Sequence, residues 1–369
     1  KKKCNYKLIF VDSRQENNNN IKYFIDKYCS TNTPIIYNIV YIQEKEQIIL
    51  DLHNTTLTKI YEIEDCYEID NLIYNINNFN YDFVIYRYNC EQMNYIKSKS
   101  NNNVKFIHYP HYIDKNVYKS TLQEDKPIDI LLYGNVGNFY PFRNRLFNII
   151  VESNLNYHYI QHPGYNSPED GHQITNNKKI IKEDLSKIIN KAKITISTCS
   201  AFNYFLKKFI EISLSGSLIA GNFPSTENNI YKDCMIELNE TMSDDEIIKK
   251  LEYYISISKE NYNNLITKSY EITSNNFTYE QGLQHFEYII DNIISIKKQN
   301  INNLDLSDIA IYDNYKYKCN CDSFKWHINN GLSQPYPREL KIITNYLQSN
   351  PTKNNLYIDI GGHFGTTCI

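Results

Sequence analysis

Over the first hundred residues, short runs of β-branched and aromatic residues alternate with longer stretches whose apolar positions recur every three or four residues. That alternation marks β-α-β units around a mainly parallel sheet. It predicts strands over Tyr6–Val11, Ile35–Tyr41, Asp82–Tyr86 and Val104–His108, and helices over Ile21–Tyr28, Tyr67–Phe79 and Glu91–Ser98. A charged, proline-containing stretch from Lys115 to Pro127 reads as a linker. A second series follows. Strand Ile128–Tyr133 runs into Gly134-Asn135-Val136-Gly137, and a helix begins near Pro141, whose fixed φ suits a first helical turn. Strand Tyr157–Gln161 leads to the loop His162-Pro163-Gly164-Tyr165. Helix Lys182–Lys191, strand Lys193–Thr198, helix Tyr204–Leu214 and strand Ser217–Ala220 come next, then three helical stretches from Ser243 to about Ile296. Ligands of such doubly wound sheets bind beyond the carboxyl ends of the strands, so the loops after Tyr133, Gln161, Thr198 and Ala220 are expected to converge on one site. From Asn300 the pattern changes: a polar, tyrosine-rich stretch, a helix over Arg338–Leu347, and a strand over Leu356–Ile360 ending in Gly361-Gly362-His363-Phe364-Gly365.

At 369 residues the chain exceeds the size at which one hydrophobic core stops growing, so two or more domains are expected. Its 39 Lys+Arg against 42 Asp+Glu leave a net charge of -3, which supplies no broad field for nucleic acid or an anionic membrane. Any anion must be gripped locally. A mean hydropathy of -0.54 with no long apolar run predicts no membrane span. Lys1, Lys2 and Lys3 are not followed by a secretory apolar region, so a cytoplasmic location is expected. The nine cysteines include no CxxC pair and read as reduced thiols; Cys319 and Cys321 form a CxC without a second pair, and no metal site is expected. The excess of Asn, Ile, Lys and Tyr, with 34 tyrosines, is that of an AT-rich genome, and Asn17–Asn20 and Asn101–Asn103 read as loops rather than functional tracts. The chain starts without Met and stops at Ile369 inside a motif, so an excised segment of a longer polypeptide is expected. Nothing in the sequence indicates an oligomeric state.

The residues that could carry chemistry concentrate between positions 134 and 220. Gly134 and Gly137 let backbone N–H groups approach an anion, and the helix that follows adds its positive end. Arg143 and Arg145 fall in that helix's first turns, where a guanidinium fork suits a pyrophosphate. Lys207 and Lys208 precede Glu211 on another helix: the lysines can neutralise phosphate charge and the carboxylate can accept both hydroxyls of a ribose. Each charge alone reads as a solvated helix face; their joint placement at strand ends favours a site.

The order Asp129-Ile-Leu-Leu-Tyr-Gly134, Arg143, His162-Pro163-Gly164-Tyr165, Lys193-Ile-Thr-Ile-Ser-Thr198 and Lys208-Phe-Ile-Glu211, followed by Ser215-Gly216-Ser217-Leu218-Ile219, resembles the nucleotide-binding domain of GT-B glycosyltransferases, the group 1 and CgeB-like subset in particular. The match covers roughly Ile128 to Ile296. It implies an α/β fold with two Rossmann-like β/α/β domains facing each other across a cleft, plus a partial C-terminal α/β segment. The expected boundaries are 1–118 for a short acceptor-side domain, 119–298 for the nucleotide-sugar domain and 299–369 for the remainder. The resemblance implies a UDP- or GDP-sugar donor contacted by Gly134, Asn135, Gly137, Arg143, His162, Tyr165, Thr198, Lys207, Lys208 and Glu211, with Glu211 on the ribose. Catalytic groups of relatives commonly come from the N-terminal domain, which offers Asp12, His108 and His111; for either histidine a packing role is the alternative. Many retaining relatives carry two glutamates with seven residues between them, and the position matching the first is Asn203 here, so retention versus inversion stays open. With no DxD cluster at a strand end, metal-independent transfer is expected and no cofactor is required. Asp244-Asp245 reads instead as a dipole partner behind the cap Ser243.

A second resemblance lies in the tail. Phe324-Lys-Trp-His-Ile-Asn-Asn-Gly331, Glu339-Leu-Lys341 and Tyr357-Ile-Asp-Ile-Gly361-Gly362-His363-Phe364-Gly365 look like the truncated start of an FkbM-type methyltransferase, with Asp359 and the glycines matching its first S-adenosylmethionine motif. It implies that S-adenosylmethionine serves only the complete parent protein. The expected activity is transfer of a sugar from a nucleotide-sugar donor to a glycan or glycoprotein acceptor, within a multidomain glycan-building protein. Two alternatives stand beside it: a degenerate GT-B binding module next to an active methyltransferase, and a nucleotide-sugar epimerase.

Overall fold

Two parallel sheets carry the chain in a computed structural model, which describes residues 20–28, 35–39, 57–121, 125–162 and 180–300. The predicted strand Tyr6–Val11 and the whole tail beyond 300, with its methyltransferase-like motif, lie outside the described residues. The described residues divide into two compact units, one of those up to Arg87 with Gln92–Tyr109 and Leu283–Asn300, the other of those in Tyr88–Glu91 and Pro110–Gly282.

The first unit holds β1 (Ile35–Ile39), β2 (Thr58–Ile63), β3 (Phe83–Tyr86) and β4 (Lys105–His108), side by side in chain order and all parallel. Parallel neighbours need crossovers. Helix α2 (Ile69–Asn78) joins β2 to β3 and α3 (Glu91–Lys99) joins β3 to β4, while α1 (Ile21–Tyr28) precedes β1. Ile60, Ile63, Val84 and Ile85 are fully buried, as expected of strands covered on both faces.

Strand β2 escapes the sequence pattern because Lys59 and Glu62 interrupt its apolar run, yet both are buried. Each is satisfied: Lys59 Nζ donates to the Phe79 carbonyl at the end of α2 at 2.6 Å, and Arg87 pairs with Glu62 and, at 3.3 Å, with Glu64. A buried polar group is tolerated when its hydrogen bonds are made.

The second unit is a five-stranded parallel sheet in the order β6-β5-β7-β8-β9, with β5 (Ile128–Gly134), β6 (Tyr157–Gln161), β7 (Ala192–Ile196), β8 (Leu218–Gly221) and β9 (Ile236–Glu237). From β5 the chain steps to β6 on one side and then returns to β7 on the other, so the winding reverses between β5 and β7. Such a switch point opens a crevice at the carboxyl ends of its strands. Around the sheet run α4 (Pro141–Glu152), α5 (Lys182–Asn190), α6 (Lys207–Leu214), α7 (Asp244–Ser256) and α8 (Lys259–Asn276), while α9 (Tyr279–Asn300) belongs to the first unit from Leu283 onward.

Ile130, Leu132, Ile194, Ile196, Leu218 and Ile236 of the sheet meet Leu146 and Ile150 of α4 and Ile247 and Leu251 of α7, all with no exposed surface. Each contributes about 1.5–3 kcal/mol by leaving water. Ser243 caps α7 in a full capping box with Glu246, and Asp244 and Asp245 occupy its first turn, as the sequence pattern leads one to expect. Gly221 ends β8 at a φ of +153°, where a Cβ would lie 1.8 Å from the Ser197 carbonyl oxygen, so the backbone of β7's exit admits only glycine there.

Candidate functional site at the switch point of the second sheet

The helices that leave β5 and β7 begin at the carboxyl edge of the sheet, so their N-terminal ends border the switch point. Helix α4 starts with Pro141 at its first position, a residue suited to a turn whose N–H groups have no partner. Neither α4, preceded by Tyr140, nor α6, preceded by Leu206, has a side-chain cap or an acid in its first turn. Both carry cations there: Arg143 is the third residue of α4, and Lys207 and Lys208 open α6. They differ from α5, where Glu183 and Asp184 follow the opening Lys182, and from the acidic start of α7. Positive side chains at positive helix ends raise the energy of the empty protein, and an anion relieves it.

Arg143 and Lys208 meet at Gly134, the last residue of β5. Gly134 has a φ of +91°, and a Cβ on it would stand 2.2 Å from Lys208 Nζ and 4.0 Å from Arg143 Nη1. The backbone conformation therefore favours glycine, and any side chain there would displace the Lys208 ammonium. Lys208 Nζ donates to the Tyr133 carbonyl at 2.6 Å and lies 3.6 Å from the centre of the Tyr133 ring. Arg143, 1% exposed, donates to the carbonyls of Asn135 (3.0 Å) and Thr198 (3.2 Å), and its guanidinium faces the Tyr140 ring at 4.1 Å. Arg143 Nε and Thr198 Oγ1 are buried with no hydrogen-bond partner among the described residues. Two orphaned polar atoms beside the buried Arg143 and the half-buried Lys208 suit this place to a polar ligand.

One turn beyond Lys208, Glu211 is on the same side of α6, as the spacing of three residues dictates. Its carboxylate accepts the Tyr133 hydroxyl at 2.8 Å and is hydrogen-bonded by the Tyr118 hydroxyl as well. Burial first, and Glu211 second, push both phenols well above their ordinary pKa, so they remain protonated donors. Burial pushes the Lys208 amine well below its ordinary value, the neighbouring Arg143 pushes it further, and Glu211 opposes both. Burial also draws Arg143 down.

The structure thus brings Gly134, Asn135, Arg143, Thr198, Lys208 and Glu211 of the sequence-derived set together. Asn135 and Gly137 shape the loop: Asn135 Oδ1 accepts the Gly137 N–H at 2.6 Å, so that N–H is turned inward. Lys207 stands at the first position of α6 and His162 directly after β6. Tyr165 and Asp12 lie outside the described residues. Arg145 faces elsewhere, because residues two apart on a helix do not share a face. It binds Asp244 (2.5 Å) and the carbonyls of Met242 (2.6 Å) and Glu240 (2.8 Å), tying α4 to the start of α7.

The two candidate histidines belong to different units. His108, on β4, stacks on Tyr86 with ring centres 5.2 Å apart and places Nε2 3.1 Å from the Arg87 carbonyl; burial lowers its pKa to about 4. His111 is buried in the second unit with Nε2 2.8 Å from the Tyr88 hydroxyl, and Tyr88 stacks flat on Tyr204 at 4.0 Å. Tyr118 and Tyr133 are the site residues that sequence reasoning missed. Among the described residues no group of three or more His, Cys, Asp or Glu could hold a metal ion, and no described helix is long and apolar enough to cross a membrane.

The fold has solved counterparts. The trehalose-6-phosphate synthase OtsA is 10% identical, with 71% of this chain and 73% of that chain covered at a TM-score of 0.50. The N-terminal domain of the Candida albicans trehalose-6-phosphate phosphatase is 12% identical over 74% of this chain and 72% of its own, with a TM-score of 0.53. Anabaena HepE, solved in complex with UDP-glucose, is 13% identical over 64% of this chain and 72% of its own at a TM-score of 0.48. No family profile and no curated protein matches the sequence. The two Rossmann-like parallel units are those of the GT-B glycosyltransferase fold.

Proposed function

We propose that the chain is a glycosyltransferase that takes a sugar from a UDP- or GDP-sugar and passes it to a glycan or glycoprotein hydroxyl. One observation carries the reading: two helices end-on to the same switch point each bring a cation, the buried Arg143 and the half-buried Lys208, to Gly134, with Glu211 one turn away. In the transfer, the bond from the sugar's anomeric carbon to the diphosphate breaks and a bond to the acceptor oxygen forms. Negative charge collects on the departing diphosphate, and cations fixed in a dry site stabilise it more than they stabilise the intact donor. In this reading Arg143 and Lys208, assisted by the first turns of α4 and α6, hold the diphosphate, and Glu211 accepts the ribose hydroxyls. Asn135, Gly137, His162, Tyr165, Thr198 and Lys207 complete the donor contacts. If the transfer inverts the anomeric centre, the acceptor proton goes to one of Asp12, His108 or His111. The methyltransferase-like motif around Asp359 supports a parent protein that joins sugar transfer to methylation.

The test is a thermal-shift series with UDP, GDP and their sugars, followed by release of nucleoside diphosphate from the donor that binds. A ligand at about 100 times its Kd stabilises by roughly 2.7 kcal/mol. If no nucleotide or nucleotide sugar shifts the transition, the proposal fails.

A further inference from the structure

Glu211 is held by two tyrosines that no sequence motif singles out. It is 8% exposed and no lysine or arginine of the described residues donates to it; Lys208, three residues away, spends its shortest hydrogen bond on the Tyr133 carbonyl instead. Its donors are phenols, Tyr133 from the end of β5 at 2.8 Å and Tyr118 from the segment ahead of β5. A carboxylate offers about four acceptor positions. Two phenolic hydroxyls occupy two and leave two, the number that a vicinal diol needs. A flexible glutamate would spread those acceptors over several rotamers; the 2.8 Å bond from Tyr133, with Tyr118 on the same carboxylate, fixes one.

Tyr133 also organises the cation. Its carbonyl takes Lys208 Nζ at 2.6 Å and its ring face lies 3.6 Å from the same nitrogen, so a single residue sets the acid with its hydroxyl and the ammonium with its backbone and ring. We infer that Tyr133 and Tyr118 are positioning residues for pentose recognition, presenting Glu211 with two acceptor sites turned to a ribose diol. The inference rests on the donor-site reading above and assigns what makes that site selective.

Calorimetry separates the two. The probes are the better-binding of UDP and GDP, its 2′,3′-dideoxy analogue, and inorganic pyrophosphate, on the wild-type chain and on Tyr133→Phe, Tyr118→Phe and Glu211→Gln. The wild type should prefer the ribonucleotide over the dideoxynucleotide by about tenfold or more, the effect of hydrogen bonds to a charged group. Each phenylalanine variant keeps the ring and loses one hydroxyl; the preference should fall at least threefold while pyrophosphate affinity stays within about twofold. Glu211→Gln should fall as far or further. A structural role alone would lower the melting temperature, or all three affinities together, and leave the preference intact; that result in both phenylalanine variants overturns the inference. A wild type that binds both nucleotides equally overturns the ribose assignment of Glu211 itself, and with it this proposal.

Discussion

Replacing Arg143 by methionine should leave the empty protein as stable as before, or more so, and abolish its response to nucleotide. The guanidinium is 1% exposed, so it has lost nearly all its water. Stripping an ion of solvent costs several kcal/mol even after the protein relaxes. Against this stand two hydrogen bonds to neutral carbonyls and a facing ring, with Nε left unpartnered and no carboxylate paired to it among the described residues. Each bond between a charge and a neutral group returns about 1.5–3 kcal/mol.

Lys208 adds to the cost. The two nitrogens lie 2.2 Å and 4.0 Å from the same point above Gly134, which places them within about 6 Å of each other. When both are charged, their repulsion at an effective dielectric of 20 is about 3 kcal/mol. Methionine fills much of the arginine's volume without the charge, and such exchanges are commonly neutral or stabilising by about 1–4 kcal/mol. A diphosphate bound to the wild type meets two desolvated cations, and removing one should cost about 2–5 kcal/mol, at least about a 30-fold loss of affinity. Urea denaturation of both proteins, with and without saturating UDP or GDP, reads both quantities. An Arg143→Met protein destabilised by more than about 3 kcal/mol, yet still stabilised by nucleotide, would show that Arg143 is a structural strut and refute the reasoning.

Two further predictions concern the frame around the site. Gly221→Ala should destabilise by more than about 3 kcal/mol, because the new methyl would sit 1.8 Å from the Ser197 carbonyl at a φ of +153° and neither backbone can yield cheaply; a loss under about 1 kcal/mol in urea melts would show that the two strand exits can separate. His108 is neutral in the folded protein, with its pKa lowered to about 4 by burial from an ordinary 6.5. Below pH 6.5 the unfolded chain takes up a proton that the folded chain refuses, so stability is complete above that pH, falls as the pH drops toward about 4, and loses about 3 kcal/mol in all. His285, also lowered by burial, acts in the same direction. Urea melts at pH 7 and 4.5 should show a smaller acid loss for His108→Phe than for wild type; equal losses would place the acid sensitivity elsewhere.

Much of the second sheet could be read from the sequence because its strands are short β-branched and aromatic runs bounded by turns, with the central ones largely buried. Tyr157–Gln161 is bounded as the pattern predicts, and β5, β7 and β8 agree to within one or two residues. β2 could not be read, since its register depends on Arg87 answering Glu62 and on the end of α2 answering Lys59, contacts 25 and 20 residues apart. Arg145 looked equivalent to Arg143 in the linear pattern; two residues of helix turn it by about 200°, toward Asp244. Tyr133 and Tyr118 carried no signal at all in a chain with 34 tyrosines, and the bond from Tyr133 to Glu211 joins residues 78 apart.

The sorting of charge among the helices of one sheet supports an anion site more strongly than any motif does. Helices α5 and α7 place acids in their first turns, as folding stability favours, although α5 also opens on Lys182 and has no side-chain cap; α4 and α6, which border the switch point, carry cations there and no acid. Burial rules out the solvated-face explanation for Arg143, and the half-buried Lys208 is turned onto the Tyr133 carbonyl and ring. A protein that keeps such an unfavourable arrangement gives up stability at the place where function needs it. The arrangement also bears on the ligand's charge: one negative group could offset only one of the two cations at Gly134, whereas a diphosphate carries enough charge for both. With an acid held by two phenols alongside, a nucleoside diphosphate satisfies every exposed demand of the site together.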